Sequence, residues 1–158
     1  MKDSLKTGLC FGLPSGVITT LGLMVGLYSS TRSELVVIGG ILTIALADSL
    51  SDSMGIHISQ ESENNKNKRE IWEATIFTFI SKFIFSSFFI IPVLLLDLKK
   101  AVLISISIGL YFIFLISLSL ARNRKENPWF VITEHLFIAI VVIIITYFFG
   151  NWISFTFG

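Results

Sequence analysis

Two aspartates, Asp48 and Asp52, stand four residues apart in a stretch that is otherwise apolar and long enough to cross a membrane. Residues at that spacing share one face of a helix and lie about one turn apart. A carboxylate inside a bilayer is costly, and by default it marks a site for an ion, a proton or a charged substrate. The pair therefore makes membrane transport the first hypothesis for this chain.

Other possible metal ligands follow the two aspartates. Met54 adds a thioether and His57 an imidazole, while Glu61 and Glu63 would extend the polar groups toward a cytoplasmic mouth. Carboxylates and hydroxyls suit hard divalent ions such as manganese(II), and methionine and histidine also suit borderline ions such as iron(II). Each side chain has an ordinary alternative, which is core packing for Met54, solvation near the interface for His57, and surface charge for the two glutamates.

A lysine, Lys82, lies about ten residues into the third apolar stretch, at a depth comparable with Asp52. An ion pair between the two would explain how both charges are tolerated in lipid. The pair could be structural, or a bound cation could displace the ammonium. Extension of Lys82 to the membrane interface is the alternative.

Composition places the chain in the membrane. Hydrophobic residues make up 53% of it and charged residues 15%, and the mean hydropathy is +0.80. Soluble domains carry about a quarter charged residues. The net charge of +1 argues against a nucleic-acid partner, and the single cysteine, Cys10, excludes an intrachain disulfide. Residues 1–158 are expected to form a single domain in contact with membrane lipid.

Five stretches are long and apolar enough to span a bilayer as helices, which predicts an all-α integral membrane bundle. They are Leu5 to Ser29, Glu34 to Ser59, Trp72 to Leu96, Lys100 to Ala121 and Phe130 to Gly150.

The distribution of Lys and Arg predicts the orientation, because cytoplasmic loops carry an excess of both. Three such residues, Arg32, Lys99 and Lys100, fall on one side of the predicted bundle. The opposite side carries Lys2, Lys6, Lys66, Lys68, Arg69, Arg122, Arg124 and Lys125. The N-terminus is therefore predicted to be cytoplasmic and the C-terminus to lie on the opposite side, in a multi-pass protein of the cell membrane.

Small residues recur along the first span. Gly8, Gly12 and Gly16 are spaced by four residues, which allows a close approach of another helix. That helix could belong to the same chain or to a second copy in a homodimer. Pro14 removes a backbone donor between two of these glycines and could kink the helix, and the hydroxyl of Ser15 beside it is a candidate metal ligand.

Three parts of the sequence resemble the vacuolar iron transporter family, whose members export iron(II) and manganese(II) from the cytosol in exchange for protons. The segment from Gly12 to Leu23 resembles the opening helix of that family, Ser53-Met54-Gly55 with Ser59, Gln60 and Glu61 resembles the end of its second helix, and Thr146 to Gly150 resembles its closing helix. The resemblance covers most of the chain.

The resemblance implies a homodimer with the ion path between the first two helices of each subunit, and it matches Met54 to the family's pathway methionine. Two features depart from the family. Ser15 stands where the family has an aspartate, and the link from Gln60 to Ile71 replaces the long glutamate-rich domain of plant and yeast members.

The sequence as a whole predicts a non-enzymatic transporter of iron(II) or manganese(II), coupled to proton exchange on the aspartates. The metal would be a transported substrate, and no permanently bound cofactor is expected. Asp48 and Asp52 would bind the ion with help from Ser15, Met54 and His57. The alternative is a membrane scaffold or assembly subunit that transports nothing, in which Asp52 and Lys82 form a structural pair.

Overall fold

The computed structural model describes residues 3–63, 66–124 and 126–158, and all the secondary structure in these ranges is helical. Six helices follow one another along the chain: α1 (Asp3–Thr31), α2 (Glu34–Glu61), α3 (Lys68–Phe88), α4 (Ile90–Leu95), α5 (Leu98–Arg124) and α6 (Pro128–Phe157). Together α3 and α4 form one span, so the described residues contain five helical segments long and apolar enough to cross a membrane. The predicted all-α bundle of five spans is confirmed.

Polar residues in the short links fix where the helices begin. The side chain of Ser33 accepts a hydrogen bond from the backbone N–H of Val36, and the side chain of Asn67 accepts one from Glu70. Asn127 caps α6 in the same way, with Pro128 as the first helical residue. Such caps satisfy backbone donors that have no partner inside the helix. The observed spans extend the predicted ones by a few residues, and α6 continues seven residues beyond Gly150.

The third span is interrupted at Phe89, which separates α3 from α4. Pro92 explains the break, because a proline has no N–H to donate to the carbonyl four residues earlier and its ring crowds that carbonyl. By contrast, α1 remains a continuous helix through Pro14. The possible opening of the first helix at that proline is therefore not found.

The first helix is the centre of the bundle and contacts α2, α3, α5 and α6. Its glycines face neighbouring helices of the same chain. A side-chain carbon added at Gly8 would lie 2.6 Å from Cβ of Phe77, and one added at Gly12 would lie 2.9 Å from the carbonyl oxygen of Thr78. The face formed by Gly8, Gly12 and Gly16 is therefore occupied by α3, and a homodimer seam through these three glycines is excluded in this arrangement.

Candidate functional site

Four polar side chains from three helices meet in the middle of the bundle. Ser15 comes from α1, Asp48 and Asp52 from α2, and Lys82 from α3. Asp48 lies fourteen residues after Glu34 and thirteen before Glu61, and Lys82 lies fourteen after Lys68 and thirteen before Leu95. Asp48 and Lys82 are thus near the midpoints of the second and third spans, and Asp52 lies one turn further along α2. These four residues are called the ion cluster below.

Lys82 contacts all three other residues of the ion cluster. Its ammonium lies 2.6 Å from Oδ2 of Asp48, pairs with Oδ2 of Asp52, and donates a hydrogen bond of 2.9 Å to Oγ of Ser15. The hydroxyl of Ser15 in turn donates to Oδ2 of Asp52 at 2.8 Å. The side chain of Lys82 is only 1% exposed. The ion pair expected between Lys82 and Asp52 is therefore present, and it extends to Asp48 and Ser15.

The two aspartates are not equivalent. Asp52 receives directed hydrogen bonds from both Ser15 and Lys82. Asp48 makes a close ion pair with Lys82, but its Oδ2 accepts no well-directed hydrogen bond from the described residues. In their ionised forms, two carboxylates and one ammonium leave one negative charge without a counter-charge. Asp48 is the less satisfied of the two carboxylates, and we assign the surplus charge to it.

Close packing of α1 on α3 makes the ion cluster possible. A side-chain carbon at Gly16 would lie 3.1 Å from both Cγ and the carbonyl oxygen of Lys82, and Ser86 donates from its hydroxyl to the Gly16 carbonyl. An alanine at this position would require its neighbours on α3 to move by a few tenths of an ångström, and a larger side chain would require more. The glycines beside Ser15 thus bring its hydroxyl within hydrogen-bonding distance of Lys82.

The ion cluster is open on one side. The side chains of Asp48 and Asp52 are 25% and 23% exposed, and Asp48 lines a groove of about 640 Å³ between α1 and α2. The groove also contains Leu23, Gly40 and Ser51. A charged group at the middle of a membrane span is costly if it faces hydrocarbon. The opening therefore needs water, a cation or another protein surface to cover it.

Met54 does not join the ion cluster. It is 58% exposed and continues an outward stripe on α2 that includes Leu46, Leu50 and Ile58. Two residues of helix turn the chain by about 200°, so Met54 points away from Asp52 on the same helix. Within one copy of the chain it is not a ligand for an ion held by the aspartates.

His57 lies one to two turns from Asp52 and contacts α3 instead of the ion cluster. Its Nδ1 is 2.9 Å from the hydroxyl of Thr75, and its ring packs against Trp72 at 4.6 Å between centroids. These contacts hold the imidazole between the two helices. His57 therefore acts as a packing residue in the arrangement described.

The two proposed mouth residues also differ from each other. Glu61 is exposed at the end of α2, whereas Glu63 pairs with Lys66 at 2.9 Å and accepts a hydrogen bond from Gln60. Neither belongs to the ion cluster. Glu63 is thus part of a local network in the link between the second and third spans.

Three fully buried hydroxyls have no hydrogen-bond partner among the described residues. They belong to Thr20 on α1, Ser49 on α2 and Ser105 on α5. Ser49 directly follows Asp48 in the sequence. The sequence does not predict that these hydroxyls lack a partner, because the hydroxyl of a serine or threonine in an apolar helix can usually bond to its own helix backbone.

Another contact that was not predicted joins α5 to α6. The hydroxyl of Ser117 lies 2.8 Å from Nδ1 of His135. The only signal in the sequence is that both residues interrupt apolar stretches.

Comparisons with protein-family models, curated protein sequences and solved structures find no match. What the ion cluster can bind therefore has to be inferred from its own geometry.

That geometry limits the chemistry. No group of three or more histidine, cysteine, aspartate or glutamate side chains that could hold a metal occurs in residues 3–63, 66–124 and 126–158. The ion cluster instead contains two carboxylates and one hydroxyl, and the Lys82 ammonium already contacts all three groups. A further cation would have to bind at Asp48 from the groove or displace Lys82.

Proposed function

We propose that the chain is a membrane transporter of cations, with iron(II) or manganese(II) as its cargo and Asp48 and Asp52 as its ion-binding carboxylates. The observation that carries the proposal is the surplus carboxylate at mid-span. A purely structural ion pair needs one carboxylate for one ammonium, and a second partly exposed carboxylate would only add to the cost of burial. The surplus charge of Asp48 gives the ion cluster an electrostatic preference for one more cation.

In this proposal Lys82 occupies the site when no metal is bound. Its ammonium neutralises part of the charge of the two carboxylates, so the empty site is tolerated inside the membrane. A divalent ion approaching through the groove would meet Asp48 first, and it would then compete with the ammonium for Asp52. Ser15 would assist by supplying its hydroxyl oxygen, which suits hard divalent ions.

A homodimer would complete the ligand set and cover the groove. The exposed face of α2 carries small residues at a spacing of four, namely Gly39, Thr43, Ala47, Ser51 and Gly55. A carbon added at Gly39 or Gly55 would meet nothing within 4 Å. Small residues at this spacing allow close helix pairing in membranes. A second copy on this face would put two surplus carboxylates beside one shared groove. The resemblance to the vacuolar iron transporter family also implies a homodimer, although not these carboxylates.

The orientation belongs to the same proposal. The excess of Lys and Arg on the side of the α2–α3 and α5–α6 links favours a cytoplasmic N-terminus and a C-terminus on the opposite side. Residence in the cell membrane is part of the same proposal. Lys2 and Lys125, which contribute to that excess, lie outside the described residues. The expected cycle takes metal from the cytosolic side and returns protons.

Flux into liposomes tests the proposal. The purified chain is reconstituted with an iron- or manganese-sensitive dye inside, and metal is added outside with and without an imposed proton gradient. We expect the wild type to give a dye response, and we expect the rate of metal flux to fall at least tenfold in Asp48→Asn. Glu61→Gln is the matched control, because it also removes one carboxylate from α2 but lies outside the ion cluster.

The result that would contradict the proposal is wild-type flux in a folded Asp48→Asn protein, or no flux of either metal in the wild type. Circular dichroism and size-exclusion chromatography of each variant in detergent establish that it is folded.

The complete burial of Lys82 favours a second candidate function, which is a membrane scaffold held together by the ion cluster. In that case Asp52→Asn would lower stability, Asp48→Asn would not, and the wild type would move no metal. The double variant Lys82→Met/Asp52→Asn would restore part of the stability lost in Lys82→Met alone. The two candidates therefore differ in flux and not in the existence of the ion cluster.

A further inference from the structure

A crevice at the opposite end of the bundle from the α2–α3 link has features that the transport proposal does not use. It has a volume of about 350 Å³ and lies between α5 and α6, with residues of α1 at its back. Most of its lining is apolar and includes Val102, Ile106 and Ile144. Its volume falls within the range of about 300–1,000 Å³ that is typical of small-molecule sites.

Three polar side chains stand at one end of the crevice. They are Lys99, in the first turn of α5, Tyr28, in the last turn of α1, and Tyr147 on α6. From Lys99 the crevice continues to Ile106, seven residues further along α5, which is about 10 Å at helical rise. It is therefore polar at the end of the helices and apolar toward the middle of the spans.

The charge of Lys99 is free to act on a ligand. Among the described residues Lys99 forms no ion pair, whereas the neighbouring Lys100 pairs with Asp97 at 2.8 Å. The two lysines are adjacent in sequence and both exposed, but only Lys99 lines the crevice. Tyrosines favour the same depth, because their rings are apolar and their hydroxyls reach the interface.

We propose that this crevice binds one anionic phospholipid, with its phosphate on the Lys99 ammonium and one acyl chain between α5 and α6. The charge of Lys99 matches the headgroup, the tyrosine hydroxyls can donate to phosphate or ester oxygens, and the apolar depth matches the chain. A lysine ammonium binds a phosphate group as a point charge. The crevice is separate from the ion cluster, so its occupancy does not depend on metal transport.

Native mass spectrometry of the detergent-purified chain tests this proposal. The protein is titrated with phosphatidylglycerol or with phosphatidylcholine of the same acyl chains, and the fraction carrying one lipid is measured. We expect phosphatidylglycerol to bind more tightly, and Lys99→Gln to weaken it about fivefold. Lys100→Gln is the matched control and should change binding less than twofold, because Asp97 already neutralises that ammonium.

A second variant examines the acyl-chain part of the crevice. Ile144 is about half exposed, so Ile144→Trp can be accommodated without a change of fold, while its larger ring would fill the crevice. We expect this variant to bind less of both lipids. Equal binding of the two lipids by the wild type, equal losses in Lys99→Gln and Lys100→Gln, or unchanged binding by Ile144→Trp would each overturn the proposal. So would displacement of the lipid by an equal concentration of inorganic phosphate, because the site would then be an anion site without an acyl chain.

Discussion

The α1–α2–α3 side of the bundle and the α5–α6 side are both apolar enough for a membrane, but they are held together in different ways. In α1, half of an 18-residue apolar segment is buried, compared with 11% of the corresponding segment of α6. On the first side, glycines bring helices close and polar groups bond between them, as at Gly12, Gly16 and the ion cluster. On the second side, α6 exposes large apolar residues such as Phe137 and Phe148. Polar contacts between helices are therefore concentrated on the first side, whereas α6 packs closely on α1 at Gly150 and exposes much of its remaining apolar surface to lipid.

Loss of the Lys82 ammonium should have the largest effect, because it leaves two carboxylates without a counter-charge at mid-span. We expect Lys82→Met to lower the free energy of unfolding by about 3 kcal/mol or more. Addition of Asp52→Asn should recover part of the loss. Unfolding of the variants in mixed detergent micelles measures both effects. A Lys82→Met protein as stable as the wild type would mean that the ion cluster does not stabilise this side.

Helix packing at Gly12 should have the next largest effect. The added carbon of Gly12→Ala would lie 2.9 Å from the Thr78 carbonyl oxygen, so α1 and α3 would have to separate. We expect a loss of about 2 kcal/mol. The control is Gly39→Ala, where the added carbon meets nothing within 4 Å and alanine is the better helix former. Equal effects of the two substitutions on the melting temperature would show that close packing at Gly12 does not stabilise the bundle.

The hydroxyl of Ser15 connects the glycine-packed helix to the charged residues. We expect Ser15→Ala to cost about 1 kcal/mol, because both Lys82 and Asp52 lose a hydrogen-bond partner. Ser30→Ala on the same helix is the control, since that hydroxyl bonds only to the Leu27 carbonyl. The same unfolding assay compares them, and an equal loss in both variants would contradict a special role for Ser15.

On the α5–α6 side we expect the smallest effect. Ser117→Ala removes the contact with His135 and should cost about 0.6 kcal/mol, which is typical of a hydrogen bond between membrane helices. Ser107→Ala, which removes an exposed hydroxyl bonded within α5, should cost less. If Ser117→Ala lowered stability more than Ser15→Ala, polar contacts would contribute more on the α5–α6 side, contrary to our expectation.

The sequence predicted the spans well because a bilayer requires about 20 apolar residues whatever the helices pack against. It also indicated Lys82 as a partner of Asp52, since both lie at similar depths on consecutive helices. It did not predict the hydrogen bond from Lys82 to Ser15, because whether side chains on different helices can reach each other depends on how closely those helices approach.

Three other differences have simple physical reasons. The choice between α3 and a second copy as the partner of the glycine face cannot be made from spacing alone, since both would use the same small residues. The outward direction of Met54 could have been inferred from its position two residues after Asp52, because that spacing turns the side chain to the far side of the helix. The break at Phe89 also had a signal in Pro92.

Binding of manganese(II) to the purified protein, followed by electron paramagnetic resonance of the free ion, tests most directly whether the surplus carboxylate holds a cation. We predict that the wild type and Glu61→Gln lower the signal of free manganese(II) equally, and that the decrease with folded Asp48→Asn is at least ten times smaller at the same concentrations. Equal binding by the wild type and Asp48→Asn would contradict a cation site at Asp48, because the ion would then be held elsewhere.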